Sequence, residues 1–572
     1  MTDRHADLPE RWQARTFMAL LILLALRIAF NGLSPLNLYA DEAQYWRWGE
    51  TLEWGYYSKP PMIAWVIHAF TSLLGHSEWA IRLPAALLHT IGAVIIFYLA
   101  RAMYGPRTGF FASLGYALMP AVILSSAVIS TDGVLMPFWC AALWALWRLR
   151  SGEGGWVSAA GLGAAIGLGF LSKYAMLYFP IGIGLAILFD RQTRDALFSL
   201  KGLTALAIAA MIFAPHLAWN AANEFKTVSH TVDNANLGGD LINPENALTF
   251  LVDQLGVFGP ISFLALVFGI FVMRSEDDGI MGRDRWLLCF ILPVLVIILA
   301  QAVLSRANAN WAATAYPAAS VLVAAWLTRA RPHRNLWYWI AGLSFLAFLF
   351  APDMSLLARG LTGSVVALAI LGFGHIVRHS PSGLLWTSLT LHGVLLISFM
   401  TIALLPASTS TALGFDNALK RTRGWETGAQ QIFERASEIG ASSVLVDDRE
   451  AWHGLDYYAR ARTTPLISWR RYGAPKSYSE NTPLEGELAE RVLIASIHPG
   501  MRPRLRSDFE SFESIGVVSI PLGQRSNGCP IVRRFQLYVG TGYTPQDRTP
   551  EWEIQFEGQT ESPPEPCPAP QD

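Results

Sequence analysis

A polytopic α-helical membrane domain followed by a soluble α/β domain is the fold class this chain predicts, on three observations. Apolar stretches of about 17 to 23 residues recur between Thr16 and Leu405, each long enough to cross a hydrocarbon core. Mean hydropathy is +0.32, and charged residues make up only 15% of the 572. After Pro406 charges and turn residues become frequent and no further span follows. The boundaries this implies are a membrane domain over 1–406, a soluble domain over 407–543 and a disordered Pro-rich tail over 544–572.

Thirteen spans fit the apolar pattern, at about residues 16–34, 80–101, 108–126, 131–148, 156–172, 174–190, 201–219, 252–273, 286–304, 309–328, 335–352, 361–377 and 384–405. The first lacks a small-residue cleavage site and leads into further spans, so it reads as a retained helix. Arginines crowd alternate connections, among them Arg101/Arg107, Arg148/Arg150 and Arg329/Arg331/Arg334. By the positive-inside rule the amino terminus is cytoplasmic, and an odd span count exports the soluble domain. The net charge of -1 argues against nucleic acid as a partner. Cys140 and Cys289 fall inside spans as packing residues, whereas Cys529 and Cys567 fall on the exported side. A disulfide persists in that compartment, and their pairing is left open.

Two long loops lie on the exported side, 34–78 and 219–251. The first carries Asp41-Glu42 and then Tyr56-Tyr57-Ser58-Lys59-Pro60-Pro61, followed by an apolar stretch, 62–74, too short to span. That stretch predicts a helix lying in the interface, with Trp65 and His68 as amphipathic anchors and Lys59 at its entrance. Each residue has a plainer reading: Asp41 as the cap of a helix over 42–50, Lys59 as a snorkelling cation. Two carboxylates, a lysine and paired tyrosines in one membrane-facing loop favour a functional site instead. Asp132, in Ser130-Thr131-Asp132-Gly133, either caps the fourth span or serves as a functional carboxylate. The few exported-side cations are not explained as topology signals. Lys59, Lys173 and Arg306 each adjoin a span end, where they would meet a lipid phosphate at headgroup depth. In the second loop, His230, Asp233 and Asn234 suit sugar hydroxyls, or a cation held by His230 with Asp233.

These residues, in this order, resemble the GT-C membrane glycosyltransferases, in particular the bacterial branch of the protein O-mannosyltransferase family that includes aminoarabinose transferases acting on lipid A (glycosyltransferase family 39/83 type). The matching pieces are Asp41-Glu42 after the first span, Lys59-Pro60-Pro61, Asp132 opening the fourth span and Lys173 after the fifth. Gln44 and Ser58 stand where the arabinose-type pattern has arginine and glutamate, which argues against aminoarabinose and against a metal contact at position 58. The resemblance implies a multi-pass protein of the bacterial inner membrane. Its donor would be a polyprenyl-phosphate monosaccharide, and its acceptor a hydroxyl of lipid A, lipopolysaccharide core, another glycolipid or a protein. Asp41 would be the general base, with Glu42 and Asp132 orienting the acceptor or shaping the base's surroundings. Lys59, Tyr56, Lys173 and Arg306 would hold the donor phosphate. No cofactor is firmly implied; a divalent cation is left open. An alcohol needs its proton removed to attack, which a carboxylate can do, and phosphate leaves unprotonated if cations stabilise it.

In the soluble domain, 425–439 and 451–460 read as helices and 443–446, 492–497, 515–520 and 535–539 as strands. No catalytic motif stands out there, and Asp447-Asp448-Arg449 and His453 read as surface or turn residues. The competing function is a lipid or sugar transporter or flippase. Transporters bind near the midplane on broken helices, whereas the notable charges here cluster at one membrane face. A catalytically silent assembly subunit is the third reading, and Asp41 and Lys59 speak against it.

Overall fold

The computed structural model describes residues 9–235, 242–273, 275–329, 336–349, 356–412, 415–473, 475–524 and 529–559. Among them, seven helices are long and apolar enough to cross a bilayer, from Glu10–Leu33 to Ser382–Leu404. Two further pairs, Tyr174–Phe189 with Arg191–Leu197 and Pro244–Val257 with Pro260–Val272, bend by 118° and raise the number to nine if each is one span. The thirteen expected spans are not reached on this criterion. One of them, 108–126, is broken into Pro106–Ala117 and Pro120–Ser125, because Pro120 offers no N–H to continue the helix. Another, Thr131–Arg150, is a single helix with Asp132 in its first turn and Arg148 and Arg150 in its last.

Small residues let the spans approach closely. A Cβ on Gly163 would sit 2.4 Å from the Ala205 carbonyl oxygen, so helix Gly155–Ser172 packs backbone against helix Leu200–Ala222 there. The loop 34–78 has its own core, in which Trp48, Tyr56, Ile63 and Ile67 are buried together. Helix Met62–Leu74 forms over the expected residues, with Met62, Ile63, Ala64, Ile67 and Thr71 buried and Leu73 exposed.

The soluble domain is built on a five-stranded sheet of order β2-β1-β3-β5-β4. β1 (Ser443–Val446) lies parallel between β2 (Leu466–Ser468) and β3 (Val492–Ser496). β4 (Phe509–Gln524) and β5 (Pro530–Tyr543) form a long antiparallel hairpin added to β3. β1 and β3 are wholly buried, as their uninterrupted apolar runs require. Two expected strands, 515–520 and 535–539, are the inner parts of this hairpin. β2, only three residues long, was not expected.

The expected disordered tail is partly ordered. Helix Pro550–Ile554 buries Trp552, and Arg548 pairs with the buried Asp508 at 2.6 Å. Residues 560–572, including Cys567, lie outside the described residues. Cys529 is disulfide-bonded, whereas Cys140 and Cys289 are free thiols.

Asp447 and Asp448 lie in the turn after β1, as expected, and Arg449 opens the next helix with its side chain partly exposed, whereas His453, also expected at a surface or turn, is buried. Asp447 accepts from the Ile497 N–H at 3.0 Å, and burial raises its pKa. Asp448 caps helix Arg449–Tyr458 through the Ala451 N–H at 2.9 Å, and His453 is 1% exposed. This helix docks on helix Ala40–Gly49 of the first loop. Arg47 grips the buried Asp456 through Nη2 at 2.7 Å, Trp46 meets Tyr457 edge to face at 5.0 Å, and the Tyr458 hydroxyl accepts from the Leu38 N–H at 2.7 Å. The soluble domain is thereby fixed directly over the loop that carries the acidic pair.

Candidate active site

Helix Ala40–Gly49 begins one residue before Asp41, with Tyr39 as its N-cap. Glu42, not Asp41, performs the capping: its carboxylate reaches back to the Tyr39 N–H at 2.9 Å. The plainer reading of Asp41 as a cap therefore does not describe the structure. Asp41 instead projects into a cavity of about 430 Å³, 37% exposed, and accepts from Arg449 Nη1 at 2.9 Å. Arg449 also donates to the Gln44 side-chain oxygen. Burial alone would lower the Arg449 pKa, but the neighbouring Asp41 carboxylate more than offsets it, and the net shift is upward.

Lys59 is presented by a tight reversal in which the Tyr56 N–H donates to the Lys59 carbonyl at 3.1 Å. Gly55 is needed at its start, since a Cβ there would lie 2.4 Å from the Trp219 ring. Pro61 then caps helix Met62–Leu74. The Lys59 ammonium has no hydrogen-bond or ion-pair partner among the described residues. Its pKa is lowered, first by burial and then by the nearby Lys173.

Lys59 stands at a junction. On one side is the polar cavity, lined also by Asp41, Tyr57, His230, Arg306, Asn308, Arg449 and Lys476. On the other is a more apolar cavity of about 320 Å³, lined by Lys173, Tyr174, Leu177, Tyr178, Ile297 and Ile298. Ser58, Lys59 and Trp311 border both. Lys173, between helix Gly155–Ser172 and the turn Tyr174–Leu177, donates to Asp132 Oδ1 at 2.7 Å. Asn310 donates to the other oxygen of Asp132 at 2.8 Å. Another cavity of about 390 Å³ lies within the soluble domain beside Trp469 and Arg548, away from every sequence-predicted site residue.

The structure thus gathers Asp41, Lys59, Lys173, Asp132, Arg306 and His230. Two expected members stand apart. Glu42 is 1% exposed and lines neither cavity; it holds Arg82 Nη2 at 2.8 Å and the Ile129 N–H at 3.0 Å. Tyr56 is buried with its ring stacked on Trp48 at 4.8 Å, and its hydroxyl is spent on the Trp48 and Thr51 carbonyls, each at 2.8 Å. Its neighbour Tyr57 faces the cavity, with His230 edge to face at 6.0 Å. Asp233 and Asn234 belong to helix Lys226–Ala235, but their side chains lie outside the described residues. Among the described residues no three His, Cys, Asp or Glu side chains are grouped to share a metal ion. Sequence reasoning missed Arg449, whose partners Asp41 and Gln44 lie some four hundred residues away, Lys476, which shares that cavity, and Gln44, whose departure from the arabinose-type pattern was its only signal.

The family described as dolichyl-phosphate-mannose-protein mannosyltransferase matches residues 58–219. The lipid A galacturonosyltransferase RgtD of Rhizobium johnstonii is 31% identical over 474 residues, 82% of this chain and 88% of that protein. An undecaprenyl phosphate-α-4-amino-4-deoxy-L-arabinose arabinosyl transferase of Proteus mirabilis is 26% identical over 49% of this chain and 55% of its own length. Among solved structures, ArnT from Cupriavidus metallidurans in the apo state superposes with a TM-score of 0.59 at 16% identity, covering 93% of this chain and all of that one. Identity sustained over four-fifths of the chain, on a fold shared almost end to end, makes this protein a member of the GT-C family of membrane glycosyltransferases.

Proposed function

We propose that the enzyme is an inverting transferase that moves one sugar from a polyprenyl-phosphate carrier to a hydroxyl of a lipid A or lipopolysaccharide acceptor. The observation that carries this reading is the Lys59 ammonium, unpaired among the described residues, at the junction of an apolar chamber and a carboxylate-bearing one. A polyprenyl-phosphate sugar has that same division: an apolar chain, one anionic phosphate, then a polar ring. The likeness to a GT-C structure bound to undecaprenyl phosphate, TM-score 0.58, supports the fold, and the names of the relatives support the donor class and the envelope acceptor.

In this reading the prenyl chain lies along Ile297, Ile298 and Leu177, and Lys59 with Arg306 receives the phosphate. Asp41 takes the proton of the acceptor hydroxyl as its oxygen attacks the anomeric carbon from the face opposite the phosphate. The carbon–phosphate-oxygen bond breaks, its electron pair leaves on phosphate, and Lys59 and Arg306 stabilise the added charge. Lys173 is neutralised by Asp132, so that pair braces the wall beside Lys59. Glu42 acts at a distance by holding the Asp41 helix, and Tyr56 by stiffening the Lys59 turn. The cation asymmetry of the loops supports a cytoplasmic amino terminus and a periplasmic carboxyl-terminal domain. A transporter reading gains nothing from the site, since its charged groups gather at one end of the spans.

The test is direct: purified protein in detergent, given undecaprenyl-phosphate galacturonate and lipid A, followed by mass spectrometry. A lipid A species heavier by one anhydro-sugar, absent without donor, supports the reading. Donor consumption without a glycosylated acceptor, or no consumption of any polyprenyl-phosphate sugar, contradicts it.

A further inference from the structure

We propose that Arg449, assisted by Lys476, is the specificity-determining residue that reads a carboxylate on the sugar being transferred. This rests on the transferase reading above and adds a subsite supplied by the exported domain. Three independent observations converge on it.

The first is topological. From β1 the chain crosses to β2 on one side and then returns to β3 on the other, so connections reverse between β1 and β3. In open α/β sheets, ligands gather outside the carboxyl ends of strands at such a point. Here that edge carries 447–449 after β1 and 497–498 after β3. It faces the membrane domain, since Arg449 reaches Asp41 at 2.9 Å.

The second is the placement and spare capacity of the side chain. Arg449 opens a helix fixed at both ends, by the Asp448 cap at 2.9 Å and by Asp456 gripped by Arg47 at 2.7 Å. Its Nη1 is committed to Asp41 and Gln44. Nε and Nη2 have no partner among the described residues, and the side chain is 40% exposed on the cavity. A planar guanidinium with two free donors matches a carboxylate's two oxygens.

The third is charge. Among the described residues Lys59, Arg306, Arg449 and Lys476 line the two chambers beside Lys173, which Asp132 neutralises, and Asp41 is the single carboxylate lining them. A phosphodiester carries one negative charge, which Lys59 and Arg306 already meet. The surplus is on the exported-domain side, beside the base, where the sugar ring must lie. A neutral ring leaves donors of Arg449 desolvated and unpaired. A uronate satisfies them, and sites built around such bonds reject the analogue lacking the group.

The experiment compares two donors for the full-length protein in lipid nanodiscs, undecaprenyl-phosphate galacturonate and undecaprenyl-phosphate galactose, which differ only at C6. The wild type is expected to favour the uronate by about 100-fold or more in kcat/KM. Arg449→Gln should reduce that preference by about tenfold or more, chiefly through KM for the uronate, and Arg449→Lys by less. Any general effect on Asp41 cancels in the ratio. Should Arg449→Gln fail to fold, Lys476→Gln, at an exposed position, should lower the same ratio. Equal use of both donors by the wild type overturns the subsite and leaves the transferase reading intact. So does an unchanged ratio in the variants, including the case where their defect vanishes with dephosphorylated lipid A and the anion belongs to the acceptor. Turnover of neither donor overturns the subsite, and the transferase reading falls with it only if no other polyprenyl-phosphate sugar is consumed.

Discussion

Replacing Glu42 by glutamine separates a structural carboxylate from a catalytic one. Glu42 and Arg82 are 1% and 2% exposed, and the carboxylate accepts four kinds of donor. Arg82 contributes Nε at 3.0 Å and Nη2 at 2.8 Å, Ile129 its N–H at 3.0 Å and Tyr39 its N–H at 2.9 Å. An amide keeps one acceptor oxygen and turns an NH2 toward a guanidinium or a backbone N–H, donor against donor. Arg82 retains only the Leu36 and Asn37 carbonyls, at 2.9 and 2.8 Å, for a charge left without its counterion. Breaking a buried pair in this way costs about 3–5 kcal/mol. Glu42→Gln should therefore lower the apparent melting temperature in detergent by about 5 °C or more. Turnover per folded molecule should stay within about threefold of wild type, because Glu42 lines neither cavity. Wild-type melting combined with turnover reduced by about 100-fold or more would refute the reasoning and place Glu42 in the chemistry.

The donor clamp, the domain junction and the ordered tail give further expectations. Lys59→Ala should raise the KM for donor severely and Lys59→Arg restore it only partly, as steady-state kinetics in detergent will show. Burial and Lys173 lower the Lys59 pKa, so its charge is complete at low pH and is lost as pH rises through the lowered value, earlier than for an ordinary lysine. Donor affinity should accordingly fall on the alkaline side, and that limb should disappear in Lys59→Arg; a limb that persists there belongs to another group. Asp456→Ala strands Arg47 and Arg462 beside a buried position, so hydrogen exchange should quicken in 40–49 and 449–458 with turnover falling in parallel. Ending the chain after Tyr543 strips Arg548 from the buried Asp508 and Trp552 from its core, and limited proteolysis should then cut the soluble domain readily. Resistance equal to the full chain would return 544–559 to a dispensable tail.

What the sequence disclosed was local. The membrane and soluble halves, helix Met62–Leu74 and the Lys59 turn at its entrance follow from hydropathy, span length and proline placement, all read within a few residues. The cation asymmetry singled out Lys59, Lys173 and Arg306, and the structure places all three at the chambers. What stayed hidden depends on partners distant in sequence. Glu42 and Asp41 are adjacent and chemically alike, yet one meets Arg82 and the other Arg449, 408 residues away. Tyr56 and Tyr57 are likewise indistinguishable until the backbone reversal turns one ring onto Trp48 and the other to the cavity. Trp552 sits in a stretch whose prolines and charges suggest disorder, and its burial beside Phe556 and Arg548 orders it. Periodicity reports which face of an element is apolar, not what will cover it.

The central claim is that Asp41 removes the acceptor proton while Lys59 holds the donor. Single-turnover transfer by Asp41→Asn, measured with donor binding on the same preparation, tests it most directly. Asparagine keeps the shape and can still accept from Arg449, so donor affinity should stay within about threefold of wild type. The transfer step should slow by about 10² to 10⁴, the usual contribution of a general base. Transfer at the wild-type rate with donor bound normally would contradict the account and remove Asp41 from the chemistry.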